Sequence, residues 1–279
     1  MAATAAGDTT DFFADCLIFD VDGVLIDADA SFPEAIRLTV EQEWASAGRV
    51  ADARGYSPGH NAVLKRHGAF NDDYDIAWLL LNIAAGRGDR LSQALPAPAE
   101  LESIVASCGE DGVAWCRSTF AETFPRQAVR AAGAANYFGE GNRTGTYRLE
   151  TPLLNCRWDR LPLPAYIYTG RDLREWRLAQ ELLGWRDFPD ERVVHADMGM
   201  HKPSPEGLRH LCGRFGHTAP LFFGDTQSDR LAQAHFGKGR FVAIGRVLAE
   251  EDPRDRDLRF DDVQCALARL TEWRRETCE

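Results

Sequence analysis

Two aspartates follow an apolar stretch near the start of the chain. Asp20 and Asp22 come directly after Cys-Leu-Ile-Phe at 16–19, and Gly23 comes next. A short apolar run predicts a buried strand, and Asp-Gly predicts that the strand ends in a turn. A carboxylate in this position can serve as a nucleophile, and a second one can transfer protons. We therefore predict that Asp20 is a nucleophile and Asp22 a general acid and base.

Further polar side chains lie at or soon after the ends of later apolar stretches. The runs are AYIYTG at 165–170, VVHA at 193–196 and PLFFGD at 220–225. In an open parallel sheet, ligands bind beyond the carboxyl ends of the strands, so these side chains are expected at one edge. The side chains in question are those of Thr169, Lys202, Asp225 and Asp229, and the backbone of Gly170 follows Thr169 at the same edge.

Four carboxylates at one edge would repel one another and raise each other's pKa values. A divalent cation removes this repulsion, and oxygen ligands favour Mg²⁺, which also binds substrate phosphate. We therefore predict Mg²⁺ as the cofactor, with Asp229 contacting it through water or orienting Lys202. The predicted metal ligands are Asp20, Asp22, Asp225 and Asp229.

Phosphoryl transfer requires positive charge and hydrogen-bond donors around the equatorial phosphate oxygens. Lys202 and Mg²⁺ would supply the charge. Thr169 and the backbone amides near Gly23 and Gly170 would supply donors. These four residues are the predicted phosphate-binding set, and Thr169 and Lys202 join the two aspartates as catalytic residues.

The chain shows two kinds of secondary-structure pattern around these residues. Strand and helix patterns alternate after residue 162, which predicts an α/β domain with a parallel sheet. Residues 28–161 instead show only helical patterns, which predicts a helical cap domain inserted into a discontinuous core at 12–27 and 162–279. The predicted cap helices are 32–47, 58–67, 74–85, 98–107, 112–123 and 126–137.

Four motifs in this order resemble those of the haloacid dehalogenase superfamily of phosphatases. They are DVDG at 20–23, TGR at 169–171, Lys202-Pro203 and FFGDTQSD at 222–229. The family pattern usually has Thr where this chain has Val24. The long helical insert resembles the family's cap of the first type, found in subfamily I.

This resemblance implies a Rossmann-like three-layer α/β/α core with a mostly parallel sheet, Mg²⁺ and an aspartyl-phosphate intermediate. It also implies a cap that closes over a small phosphorylated metabolite. The substrate itself is not indicated. The implied functional residues are Asp20, Asp22, Thr169, Lys202, Asp225 and Asp229.

Composition excludes several other classes of function. The formal net charge is −11 without a basic run, which argues against nucleic-acid binding. No apolar stretch is long enough for a membrane span, and residues 1–10 lack the apolar segment of a signal peptide. Seven cysteines without a C-x-x-C pair indicate reduced thiols. We expect a cytoplasmic monomer or homodimer.

Other interpretations of the same residues stay open. Asp20 and Asp22 could be turn residues, and Thr169 could cap a helix at 171–185. We expect Arg171 to be a surface charge. In the cap, Asn71, Asp72, Asp73 and Asp75 are expected to cap an apolar helix, with substrate recognition by Asn71, Asp75 or Lys65 as a minority hypothesis.

Several reactions fit the same scaffold. A sugar-phosphate mutase would keep every core motif. A phosphonate hydrolase would need a cap lysine, and Lys65 is the only lysine in the cap. A phosphate-binding module without turnover would be expected to have lost at least one of the six motif residues.

Overall fold

The computed structural model describes residues 14–52, 55–67, 69–70, 72–141, 144–245 and 258–276, with side chains to residue 272. Its main sheet has the strand order β5-β4-β1-β6-β7-β8, and every described pairing in it is parallel. The strands are β1 Cys16–Phe19, β2 Ile26–Asp27, β3 Thr151–Pro152, β4 Ala165–Tyr168, β5 Val193–Val194, β6 Pro220–Gly224, β7 Arg240–Ile244 and β8 Leu258–Phe260.

The main sheet is covered by helices on both faces. Side chains alternate along β1: Leu17 and Phe19 belong to one apolar cluster, and Cys16 and Ile18 belong to another. Helices α8 and α11 contribute to the first cluster, and α9 and α10 to the second. This burial on both faces explains why the strands read as continuous apolar runs. The predicted α/β/α fold class is confirmed.

Helices α1 to α7 lie between β2 and β3. The segments that lead into and out of this group of helices lie next to each other, because β2 and β3 pair antiparallel. The helices have an apolar core of their own, which includes Trp44 and Trp78. The helix bounds are α1 Ser31–Ser46, α2 Pro58–Arg66, α3 Asp73–Ala85, α4 Leu91–Ala94, α5 Pro98–Val105, α6 Gly112–Thr119, α7 Arg126–Phe138, α8 Leu173–Leu183, α9 Glu206–Phe215, α10 Gln227–Phe236 and α11 Val263–Glu276.

Several predicted helices are shorter than the sequence indicated, and two of the differences have a clear physical reason. The helix predicted at 112–123 ends at Thr119, because Phe120 takes an extended conformation and packs edge-on against Trp115. The helix predicted from 171 begins at Leu173, with Asp172 as its N-cap. Thr169 therefore does not cap this helix. Within the described ranges, no helix has the length and apolar character that crossing a membrane requires.

Candidate active site

Three aspartates meet where the central strands of the main sheet end. β1 and β6 are neighbours in register, with Phe19 opposite Phe223, so Asp20 and Asp225 follow adjacent strand ends. Asp229 reaches the same place from the first turn of α10. One carboxylate oxygen from each of the three aspartates lies within 4.8 Å of those from the other two. The predicted convergence of carboxylates is present for these three residues.

Lys202 binds two of these carboxylates. Its Nζ lies 2.8 Å from Asp20 Oδ1 and 2.5 Å from Asp229 Oδ1. Only 1 % of the Lys202 side chain is exposed. Burial alone would lower the pKa of this amine, but the two aspartates outweigh burial and raise it. Lys202 is therefore a fixed positive charge beside Asp20.

Asp229 has two structural functions at once. Its Oδ2 accepts hydrogen bonds from the amide and the hydroxyl of Thr226, and its own amide donates to Thr226 Oγ1. This reciprocal pair is a capping box at the start of α10. Because its other oxygen contacts Lys202, the capping and active-site interpretations of Asp229 are compatible.

The turn after β1 approaches Asp225 very closely. Gly23 has a φ of +70°, and a Cβ at this position would lie 2.1 Å from Asp225 Oδ2. Asp225 Oδ1 is buried and has no hydrogen-bond partner among the described residues. Only glycine allows both the backbone conformation and the close approach. The absence of a side chain at Gly23 therefore leaves space for the Asp225 carboxylate beside the turn that follows Asp20.

The three carboxylates fit a divalent cation. Burial and the neighbouring carboxylates raise the pKa of Asp225 well above its ordinary value. Burial also raises the pKa of Asp20 to about 7, although the charge of Lys202 opposes this. A cation between Asp20 and Asp225 would compensate the repulsion and give the unpartnered Asp225 Oδ1 a ligand.

Thr169 and Gly170 lie at the end of β4, the strand beside β1. Thr169 is 2 % exposed, and its hydroxyl oxygen accepts a hydrogen bond from the Arg171 amide at 3.1 Å. Its own amide donates to Val194 O on β5. Gly170 is exposed at the rim. Both residues are thus at the edge of the sheet where sequence analysis expected them.

The structure does not bring the Asp22 carboxylate into the group of three. Its Oδ1 instead accepts from Arg171 Nε at 3.0 Å and from Arg171 Nη2 at 2.5 Å. The expectation that Arg171 is a surface charge is wrong, since the residue is 1 % exposed. Arg171 also contacts Glu150 Oε2 at 3.1 Å, and its Nη1 donates a hydrogen bond to the Tyr137 hydroxyl at 3.1 Å.

Glu150 and Tyr137 were not identified from the sequence. Tyr137 donates to Glu150 Oε1 at 2.7 Å, and both residues are buried. They lie in the helical insert, far in sequence from Asp22, and neither belongs to a motif. The one available signal was an acidic residue placed just before the chain re-enters the α/β part at β3.

The residues of the helical insert that were named from the sequence make different contacts. Asp72 is the N-cap of α3, as expected, and accepts from the amides of Tyr74 and Asp75. Asp75 pairs with Arg126 and Arg130. Lys65 pairs with Asp73 at 2.9 Å, and the charges of Asp22 and Asp225 act on it. Asn71 lies outside the described residues.

Comparison with curated protein sequences finds no match. Among solved structures, the chain is similar to phosphatase Tt82 from Thermococcus thioreducens, with 26 % identity, a TM-score of 0.60, and coverage of 83 % of this chain and 93 % of that chain. It shares its fold with a predicted phosphoglycolate phosphatase from Haemophilus somnus 129PT, at 14 % identity and a TM-score of 0.55, covering 92 % of this chain and 98 % of that one.

A profile of haloacid dehalogenase-like hydrolases matches residues 14–237. This range includes the three aspartates, Thr169 and Lys202, and it extends through the helical insert. The match and the shared architecture agree with the motifs found in the sequence. The chain belongs to the haloacid dehalogenase-like hydrolase family.

Proposed function

We propose that this hydrolase is a Mg²⁺-dependent phosphatase that cleaves phosphomonoesters of small organic metabolites through an aspartyl-phosphate on Asp20. The observation that carries the proposal is the convergence of Asp20, Asp225 and Asp229 around one point, with Lys202 beside them. Asp20, Asp225 and Asp229 would hold the cation. When bound, Mg²⁺ supplies positive charge to the phosphoryl group.

The protein's own residues account for the remaining steps. An Asp20 carboxylate oxygen forms a bond to phosphorus as the bond from phosphorus to the ester oxygen breaks. Asp22 gives its proton to the departing alkoxide, and later takes a proton from the water that cleaves the aspartyl-phosphate. Lys202, the Thr169 hydroxyl, and the amides near Gly23 and Gly170 stabilise the phosphoryl oxygens.

Arg171 leaves Asp22 able to perform this proton transfer. Both of its hydrogen bonds to Asp22 end on Oδ1. Among the described residues, Oδ2 accepts no hydrogen bond and is the oxygen left for the leaving group. The side chain of Asp22 is also 34 % exposed, so a substrate can reach it.

The phosphonate hydrolase alternative loses support from the surroundings of Lys65. A Schiff base requires a neutral amine, which enzymes obtain by lowering the pKa of the lysine. Burial lowers the pKa of Lys65, but the charge and hydrogen bond of Asp73 outweigh burial and raise it. Lys65 is thus held in its protonated form.

Hydrolysis of p-nitrophenyl phosphate tests the proposal directly. We expect turnover with Mg²⁺, loss of turnover with excess chelator, and a decrease of at least about 1000-fold in kcat for Asp20→Asn. Asp261→Asn, which changes an exposed aspartate after β8, is the matched control and should retain wild-type activity. Full activity in a folded Asp20→Asn variant would refute the nucleophile assignment.

A further inference from the structure

Two polar side chains of the helical insert form an ion pair at the start of α3, and the hydroxyl of a third is buried on the loop before α2. Lys65 Nζ donates a hydrogen bond to Asp73 Oδ2 at 2.9 Å. Burial, followed by the charge of Asp73, raises the pKa of the Tyr56 hydroxyl. We call Tyr56, Lys65 and Asp73 the cap triad. It joins the loop before α2, the end of α2 and the start of α3.

The start of α3, which carries Asp73, is linked to Asp22 through two residues of the α/β part. Arg171 donates hydrogen bonds to Asp22 Oδ1 at 3.0 Å and to the backbone oxygen of Glu175 at 3.4 Å. Tyr74, the residue after Asp73, donates to Glu175 Oε1 on α8 at 2.6 Å. This hydrogen bond fixes the start of α3 against the α/β part. A substrate with its phosphoryl group at Asp20 would extend its leaving alcohol towards the cap triad.

The cap triad contains hydrogen-bonding groups that the described residues do not satisfy. The Tyr56 hydroxyl and Asp73 Oδ1 are both buried and have no hydrogen-bond partner in the described part of the chain. Among the described residues, Lys65 donates a hydrogen bond only to Asp73, so two of its three N–H donors have no acceptor there. A buried polar group that is left without a partner destabilises the folded protein. An ion pair with only a structural role would not explain why these groups lack hydrogen-bond partners.

The unpartnered groups are one acceptor and one cationic donor on two residues in direct contact, and one neutral hydroxyl on the loop before α2. A carboxylate on the ligand would satisfy Lys65 but would be repelled by Asp73. An ammonium would bind Asp73 but would be repelled by Lys65. A hydroxyl can accept from Lys65 while it donates to Asp73, and a second hydroxyl can pair with Tyr56. Hydroxyl groups therefore complement the cap triad best.

We propose that the cap triad binds hydroxyl groups of the leaving alcohol, so that the substrate is the phosphomonoester of a polyol or sugar. This inference rests on the proposed phosphatase function. It assigns Tyr56, Lys65 and Asp73 to substrate specificity, and it leaves bond cleavage to the residues of the α/β part.

The test compares kcat/KM for three kinds of phosphomonoester in the presence of Mg²⁺. These are p-nitrophenyl phosphate, polyol and sugar phosphates of three to six carbons, and alkyl phosphates of equal carbon number. We expect the wild type to prefer at least one polyol or sugar phosphate over its alkyl counterpart by at least tenfold. In Tyr56→Phe and Lys65→Met, the ratio of kcat/KM for that substrate to kcat/KM for p-nitrophenyl phosphate should fall at least tenfold.

Arg66→Met is the matched control, because Arg66 neighbours Lys65 but pairs with Glu102 and is 42 % exposed. Its substrate ratio should equal that of the wild type. Asp73→Asn should increase kcat/KM for 2-phosphoglycolate at least threefold, since it removes the charge that opposes a carboxylate. The absence of this increase would contradict the charge argument.

Other outcomes separate this inference from the proposed function. Turnover of p-nitrophenyl phosphate without preference for a hydroxylated substrate would overturn the inference and leave the phosphatase proposal standing. Equal losses on all substrates in folded Tyr56→Phe would assign the hydroxyl a structural role and also overturn it. No turnover of any phosphomonoester would refute the phosphatase function, and the inference with it.

Discussion

Arg171 holds the carboxylate of Asp22 from the neighbouring strand end with two donors on one oxygen. Nε lies 3.0 Å and Nη2 2.5 Å from Asp22 Oδ1. The same guanidinium contacts Glu150, the last residue of the helical insert before β3, at 3.1 Å. The proton-transferring residue of the proposed mechanism is therefore fixed by a group that also connects to the insert.

Replacement of Arg171 by lysine should impair proton transfer by Asp22 more than phosphoryl transfer to Asp20. Lysine keeps the positive charge but lacks the planar guanidinium whose two N–H groups converge on Asp22 Oδ1. We expect kcat to fall about 10- to 100-fold for an alkyl phosphate, whose alkoxide needs a proton to leave. The decrease should be smaller for p-nitrophenyl phosphate, because p-nitrophenolate leaves readily without one.

The control for this prediction is Arg174→Lys, in which a neighbouring exposed arginine over the Phe138 ring is replaced. It should leave the ratio of the two kcat values unchanged. Equal decreases on both substrates in folded Arg171→Lys would show that Arg171 does not act through Asp22.

Residues at predicted strand ends could be placed from the sequence, because local patterns predict where strands end. Contacts between residues that are distant in sequence could not be predicted in this way. Asp20 and Asp225 were located because apolar runs predict strands, and parallel strand ends must meet. The burial of Arg171 could not be predicted, since its partners Glu150 and Tyr137 belong to the insert and have no motif. Tyr56 was not singled out for the same reason, since no motif connects the loop before α2 with the start of α3.

Mg²⁺ should stabilise the folded protein, because it would compensate the repulsion among the three carboxylates. A ligand at 100 times its Kd stabilises the native state by about 2.7 kcal/mol. We expect the thermal unfolding temperature to rise with Mg²⁺ and to return to its starting value with chelator. Asp225→Asn should lose this response, while Asp261→Asn should keep it. An unfolding temperature independent of Mg²⁺ would contradict the cation site.

Gly23→Ala should weaken both the cation site and activity. The new Cβ would lie 2.1 Å from Asp225 Oδ2, so the turn or the carboxylate must move. Gly184→Ala is the control: its φ of +68° is similar, but a Cβ there meets nothing within 4 Å. Both variants should lose about 1–2 kcal/mol of stability from the left-handed backbone. Only Gly23→Ala should also lose most of its activity on p-nitrophenyl phosphate.

Glu175 should make the folded protein less stable as pH rises. Burial, followed by the nearby Asp172 charge, raises the pKa of this carboxyl from 4.5 to about 8, and hydrogen bonds from Tyr74 and the Asp172 amide oppose the shift only in part. Between these two pH values the folded state binds a proton that the unfolded state has released. The stabilisation is complete below pH 4.5 and is lost as pH rises through 8, with a slope of at most about 1.4 kcal/mol per pH unit.

The Glu175→Gln variant isolates this contribution from those of other titrating groups. Urea unfolding of wild type and variant at pH 5, 6.5 and 8 gives the difference in unfolding free energy at each pH. Because glutamine cannot ionise but can still accept from the Tyr74 hydroxyl, the wild type should lose stability relative to the variant as pH rises. Glu181→Gln, which replaces an exposed glutamate on the same helix, should show no such trend. A difference that stays constant from pH 5 to pH 8 would mean that Glu175 is ionised in the folded protein throughout this range.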